Sequence, residues 1–136
     1  MPDIHHFVNG QALVGQSGRY GDIFEFEPGA IRPGMTFRQL TEIAYEAIPD
    51  EEERYMQTPS FFGHHIGMAA GDPALIDEPL EPGMVFTVEP WYYNHDLEIA
   101  VFVEDVVLVT EDGAEVLTRN LPRTPDQIER WMVENR

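Results

Sequence analysis

Three apolar stretches of this chain carry ionisable side chains where a folded protein would exclude water. They are Phe61-Phe62-Gly63-His64-His65-Ile66-Gly67, Pro82-Gly83-Met84-Val85-Phe86-Thr87-Val88-Glu89-Pro90, and Val101-Phe102-Val103-Glu104-Asp105-Val106-Val107-Leu108-Val109. An unpartnered charge in such surroundings is costly, or its pKa moves until the charge is lost. One shared divalent cation would partner all three stretches. The chain has no cysteine, so the ligands would be imidazole and carboxylate, a set that suits manganese, iron, cobalt or zinc. Such an ion polarises a carbonyl and supplies a hydroxide-like water, which is the chemistry of hydrolysis. Taken singly, each residue reads more simply as a polar group satisfied by backbone or arginine. Three in successive strands favour the shared ion.

Strand periodicity narrows the choice without completing it. Consecutive residues point to opposite faces, so only one of His64 and His65 can look into a given site. Glu104 shares a face with Phe102, Val106 and Leu108, and Asp105 shares the other with Val101, Val103 and Val107. Spacing alone does not select between the two acids either. Glu89 ends its strand just before Pro90, with Thr87 as its neighbour on the same face.

The elements that would position these residues follow from local signals. Thr36 and Gln39 have the spacing of a capping box, and Phe37, Leu40, Ile43, Ala44 and Ala47 form an apolar stripe, so a helix is expected over 37–47, stopped by Pro49. Asp50 and Glu53 start a short acidic turn or helix through Met56. Strands are expected at about 61–68, 84–89, 98–110 and 114–118, with turns at Pro82-Gly83 and Asp112-Gly113. Tyr92-Tyr93-Asn94-His95-Asp96 reads as a polar-tipped loop. Thr124-Pro125-Asp126-Gln127 opens a last helix whose Ile128, Trp131 and Met132 face one way, as if to cover the sheet. Residues 1–33 are interrupted by glycines, with an irregular hairpin and a half-exposed strand at Ile23-Phe24-Glu25-Phe26-Glu27. His5 and His6 read as solvated or tag-like rather than ligating.

Composition bounds the partners. At 136 residues the chain is expected to be a single domain with one core. Its formal net charge is −17, and all 8 basic side chains are arginine, which argues against nucleic acid and against an anionic membrane. An acidic surface without lysine fits a high-salt intracellular medium. With no signal-peptide pattern and no run of membrane-spanning length, a cytoplasmic protein is expected.

The motifs also resemble a known family. Gly63-His64-His65-Ile66-Gly67, Leu80-Glu81-Pro82-Gly83-Met84-Val85-Phe86-Thr87-Val88-Glu89-Pro90 and Val103-Glu104-Asp105-Val106-Val107-Leu108-Val109-Thr110 are similar to the C-terminal half of the pita-bread metallopeptidases. That family includes methionine aminopeptidase, aminopeptidase P, prolidase and the related creatinase. Asp112-Gly113-Ala114-Glu115-Val116-Leu117-Thr118 fits as well, and Ala30-Ile31-Arg32-Pro33-Gly34-Met35-Thr36 resembles the segment entering that half's helix. The resemblance implies an α+β fold: a curved, mainly antiparallel sheet with the 37–47 helix and the C-terminal helix on its outer face, about half of a pita-bread domain. Residues 1–29 would be an irregular N-terminal segment, and 30–136 the truncated domain. It also implies roles. His64 would be a metal ligand, Glu89 a ligand that also acts as general acid–base, and Glu104 the carboxylate that bridges two metals. The implied reaction is cleavage of a peptide bond near an N-terminus, often one preceding proline.

Departures from the pattern bear on activity. The family's two aspartate ligands have no convincing counterpart; Asp22 is faintly like the second, but the helix that should follow it is absent. Gly71 replaces a histidine that handles the substrate carbonyl or the transition state, and Ser60 stands where many members carry another. His65 occupies a position that is usually glycine. One divalent ion, or none, is therefore expected rather than two. Three functions follow: a metal-dependent aminopeptidase or dipeptidase of the Xaa-Pro type, a noncatalytic peptide-binding or scaffold module, or a half-enzyme that needs a partner chain. The bare concave side of half a domain would be covered by residues 1–33, by a partner chain or, as preferred here, by a second copy in a homodimer.

Overall fold

A computed structural model describes residues 5–8, 11–14, 28–46, 48–56, 63–69, 72–73 and 75–135. In chain order these form β1 (His5–Val8), β2 (Gln11–Val14), a 3-10 turn (Pro28–Ala30), α1 (Phe37–Glu46), α2 (Asp50–Glu53), β3 (Val85–Val88), β4 (Trp91–Asn94), β5 (Ile99–Phe102), β6 (Asp105–Val109), β7 (Ala114–Val116) and α3 (Pro125–Glu134). Every strand pair is antiparallel, so the class is α+β as expected. The chain divides into two units, Met1–Ile23 with Pro122–Arg136, and Phe24–Leu121. In the first, β1 and β2 make a hairpin with His5 opposite Val14. There α3 starts at the expected capping box: the Thr124 side chain accepts from the Gln127 amide, the Gln127 side chain accepts from the Thr124 amide, and proline fills the first helical turn.

The second unit carries the candidate site residues His64, Glu89 and Glu104. Its helix α1 also opens on a reciprocal cap, the Thr36 amide donating to Gln39 Oε1 at 3.0 Å and the Gln39 amide to Thr36 Oγ1 at 3.3 Å. Phe37, Leu40, Thr41 and Ala44 are its buried face. The stripe expected from sequence included Ile43, which is instead 39% exposed. Thr41 takes the inward place because its hydroxyl donates to the Phe37 carbonyl at 2.9 Å, which leaves no unpaired polar atom in the core. Replacing Thr36 by alanine removes the cap acceptor, and a loss of about 1 kcal/mol in urea unfolding is expected, with the Gln39 amide newly exchanging.

Two Arg/Glu-Pro-Gly-Met turns frame the sheet. The Met35 amide donates to Arg32 O at 3.2 Å and the Met84 amide to Glu81 O at 3.1 Å, with Gly34 and Gly83 at φ of 87° and 90°. Proline followed by a left-handed residue is the type II turn, which only glycine adopts without strain. The first turn is tied to Leu80 by bonds of 2.8 and 2.7 Å, and the second to Val109 by two bonds of 2.9 Å. Arg38 adds a two-pronged bond to Asp77, at 2.6 and 3.0 Å, between α1 and the approach to β3; it holds the Asp77 carboxyl below its usual range.

In the main sheet the strand order is β3-β6-β7, with Phe86 opposite Val107 and Val107 opposite Val116. The core lies on the face toward α1: Ile31, Phe37, Leu40, Leu80, Phe86, Val88, Val107 and Val109 form one buried cluster. A second cluster joins Ala44 and Ile48 to Tyr55, Met56 and Tyr92. Some expectations need correction here: of the strand expected at 61–68, the described residues form only isolated bridges at His65, and two further readings differ. The strand expected over 98–110 is two strands, β5 and β6, which break at Val103-Glu104 and belong to different sheets. The loop expected at 92–96 begins later, because Trp91 to Asn94 form β4 and pair with β5, leaving only 95–98 as the turn. The physical reason is the same for both. Trp91, Tyr92 and Tyr93 are strong strand formers, and they draw Ile99–Phe102 into a hairpin of their own with Trp91 stacked edge-on to Phe102 at 5.5 Å. The strand expected at 23–27 lies outside the described residues. No helix among the described residues is long and apolar enough to cross a membrane.

Candidate metal centre

Register fixes which side chains share a face. His65 forms an antiparallel bridge with Phe86, so His64 stands opposite Thr87, on the side of β3 away from β6. Thr87 and Glu89 lie on one face of β3 because side chains repeat every second residue. On the far side Val88 is opposite Asp105, and the same register carried one step further sets Glu89 opposite Glu104. His64 and Glu89 thus come from neighbouring segments and fall on one face by register, whereas Glu104 lies in the break before β6, one residue past the last pair. His65 falls on the other, its ring 4.9 Å from the buried Phe37. Asp105 also lies on the helix side and accepts the Thr118 hydroxyl proton at 2.5 Å.

The side chains are brought together to different degrees. His64 Nε2 lies 3.5 Å from Glu89 Oε1, with the two side chains 34% and 11% exposed. His64 Nδ1 lies 2.8 Å from the His65 carbonyl oxygen. A carbonyl has no proton to give, so Nδ1 carries the hydrogen, and in the neutral ring Nε2 then presents a lone pair to the carboxylate. Two lone-pair atoms face each other stably only with a proton or a cation shared between them. Ligand atoms on one ion at ~2.1 Å lie about 3.0–3.4 Å apart for angles of about 90–109°, close to the spacing of this pair. At 3.5 Å the pair is spaced for a shared proton, and slightly wider than two ligands of one divalent ion. Glu104, in the break just before β6, is exposed and, among the described residues, is not gathered with them. Among the described residues no group of three or more His, Asp or Glu side chains converges so as to hold an ion. Ser60, Gly71 and Asp22 lie outside the described residues.

Two further residues grip Glu89, and sequence reading gave them no role. The Thr87 hydroxyl is 2.8 Å from Oε1, and the Trp91 indole N–H donates to Oε2 at 3.4 Å. The signal for Thr87 was present, since it stands two residues before Glu89 at the period of a strand face, whereas Trp91 begins the next strand.

Comparison with known proteins places the chain among the metallopeptidases. Residues 28–111 match the model of metallopeptidase family M24, and the chain belongs to that family. It is 41% identical over 149 aligned positions to Xaa-Pro aminopeptidase 2 of Streptomyces coelicolor, covering 84% of this chain and 32% of that one. It is 36% identical to the mitochondrial intermediate cleaving peptidase 55 of Arabidopsis thaliana, covering 72% of this chain and 24% of the relative. Among solved structures, zinc-substituted aminopeptidase P of Escherichia coli in complex with product matches with a TM-score of 0.69 at 25% identity, over 85% of this chain and 33% of that one. The chain thus spans about a quarter to a third of the length of the relatives it matches. The similarity to aminopeptidase P also bears out the pita-bread expectation for the fold.

Proposed function

We propose that this chain carries the histidine and glutamate edge of a metal-dependent aminopeptidase or dipeptidase that acts on peptides with proline in the second position. The observation that supports it most is the approach of His64 Nε2 to the buried Glu89 Oε1. Membership of a metallopeptidase family and the names of the similar aminopeptidases support the reaction class. His64, Glu89 and Glu104 would hold manganese, cobalt, zinc or iron, as one ion rather than two. When bound, the ion would polarise the scissile carbonyl and acidify a water. The chain's own part is to orient the imidazole through the His65 carbonyl, to hold Glu89 ready to take and return a proton, and to shield that carboxylate from bulk water beneath Trp91. Trp91, which touches Glu89, and Phe102, which packs on Trp91, are both exposed and would be covered by peptide, by a second copy of the chain or by a partner chain.

A second reading has an observation of its own. With no three donors gathered among the described residues, a peptide-binding module of the same fold that holds no metal is the competing function. Calorimetric titration with manganese or cobalt in high-salt buffer separates the two. For the enzyme, stoichiometric binding is expected, weakened at least about tenfold in His64→Ala and in Glu104→Ala and retained in His65→Ala. Peptide binding with no uptake of either ion would establish the module instead. Loss in His65→Ala with retention in His64→Ala would reverse the assignment of faces.

A further inference from the structure

The Thr87 hydroxyl has one proton and three polar neighbours. Its oxygen is 2.8 Å from Glu89 Oε1, 2.9 Å from the His64 amide nitrogen and 3.4 Å from the His64 carbonyl oxygen. The amide can only donate, so Oγ1 accepts there. The proton then goes to the nearer and more basic acceptor, the Glu89 carboxylate, and the His64 carbonyl takes the Thr87 amide instead, at 2.9 Å. Thr87 is 1% exposed, so no water competes for these bonds.

We propose that Thr87 is a positioning residue that fixes Glu89 relative to His64: its one hydroxyl ties the backbone of the histidine's segment to the carboxylate of the glutamate. His64 and Glu89 belong to different segments, and the spacing of Nε2 and Oε1 depends on both the backbone register and the glutamate rotamer. The hydroxyl controls both. It leaves Oε1 one lone-pair direction free, toward His64, while Trp91 occupies Oε2. A valine in its place would keep the shape and the strand preference but would strand the His64 amide and free the carboxylate to rotate.

The test compares Thr87→Val with Thr87→Ser. In the metal-free chain, Thr87→Val should speed exchange of the His64 amide by about tenfold or more and shift the Glu89 side-chain carboxyl carbon resonance, while Thr87→Ser leaves both near wild type. Cobalt affinity should fall about 10–100-fold in the valine variant and recover in the serine one. This last arm rests on the proposed metal site; the first two do not. If wild type takes up no cobalt, the metallopeptidase reading fails, and the exchange and resonance measurements still decide the role of Thr87. An unchanged His64 amide in Thr87→Val overturns the proposal. So does a serine variant as impaired as the valine one, because the branched shape would then matter rather than the hydroxyl. Should Thr87→Val fail to fold, Thr87→Ala carries the same measurements.

Discussion

Phe86→Ala is expected to lower the unfolding free energy by about 3–5 kcal/mol, a large part of the roughly 5–15 kcal/mol that a domain of ordinary stability possesses. Phe86 is completely buried. Its ring meets Phe37 edge-on, with centroids 5.0 Å apart, and so joins α1 to the sheet at the centre of the core. Its backbone is also a junction, bridged to His65 on one side and paired with Val107 on the other. Truncation would open a cavity beneath Phe37, whose ring also lies against His65. The site face should suffer too, because the segment bearing His64 leans on β3 through Phe86 and Thr87. Urea denaturation of the variant tests this. A loss under about 1 kcal/mol would mean that α1 does not pack here.

How far the sequence could be read depended on the range of the interaction. Both helix starts were legible, because the side chains of Thr36 with Gln39 and of Thr124 with Gln127 satisfy backbone amides within one turn. The proline-glycine turns were legible for a similar reason, since φ at Gly34 and Gly83 is set by residue type. The inward choice of Thr41 over Ile43 was not, because periodicity locates a stripe only to within a residue and a threonine can bury itself by bonding back to its own helix. The break between β5 and β6 was also hidden. Residues 98–110 are apolar apart from Glu98, Glu104, Asp105 and Thr110, with no glycine or proline to end a strand, and the competing partner, the aromatic run of β4, divides them.

The candidate site shows the same limit. Alternation put His64 and His65 on opposite faces but did not say which face α1 would cover. Phe37 decides that, by placing its ring against His65 from a helix far away in sequence. The resemblance to pita-bread peptidases had already pointed to His64, and the packing gives an independent physical reason why it is the histidine turned toward Glu89. Glu104 was assigned to the site by the same resemblance. Its side chain is exposed in the break before β6 and, among the described residues, is not gathered with the other two.

Gly63→Ala should disable the site while leaving most of the fold standing. A Cβ built on Gly63 would lie 2.0 Å from the Thr87 carbonyl oxygen and 2.8 Å from both the Thr87 carbonyl carbon and Oγ1. Two of these are backbone atoms of β3, and Thr87 is held on its other side by its pairing with Val106. The strand cannot yield, so the segment carrying His64 must. It would give up the bonds of His64 to the Thr87 hydroxyl and amide, and with them the approach to Glu89. Overpacking of this kind costs about 1–3 kcal/mol, to which the lost bonds add. Cobalt affinity at the proposed site should fall by more than about tenfold, since His64 would no longer be aimed at the shared position. Gly113→Ala is the control: the nearest atom to its Cβ is 3.9 Å away, and near wild-type stability is expected. Calorimetry and urea unfolding on the two variants together distinguish a local steric wedge from a general intolerance of alanine at glycine positions. Equal behaviour of the two would mean that residues 63–67 do not lie against β3.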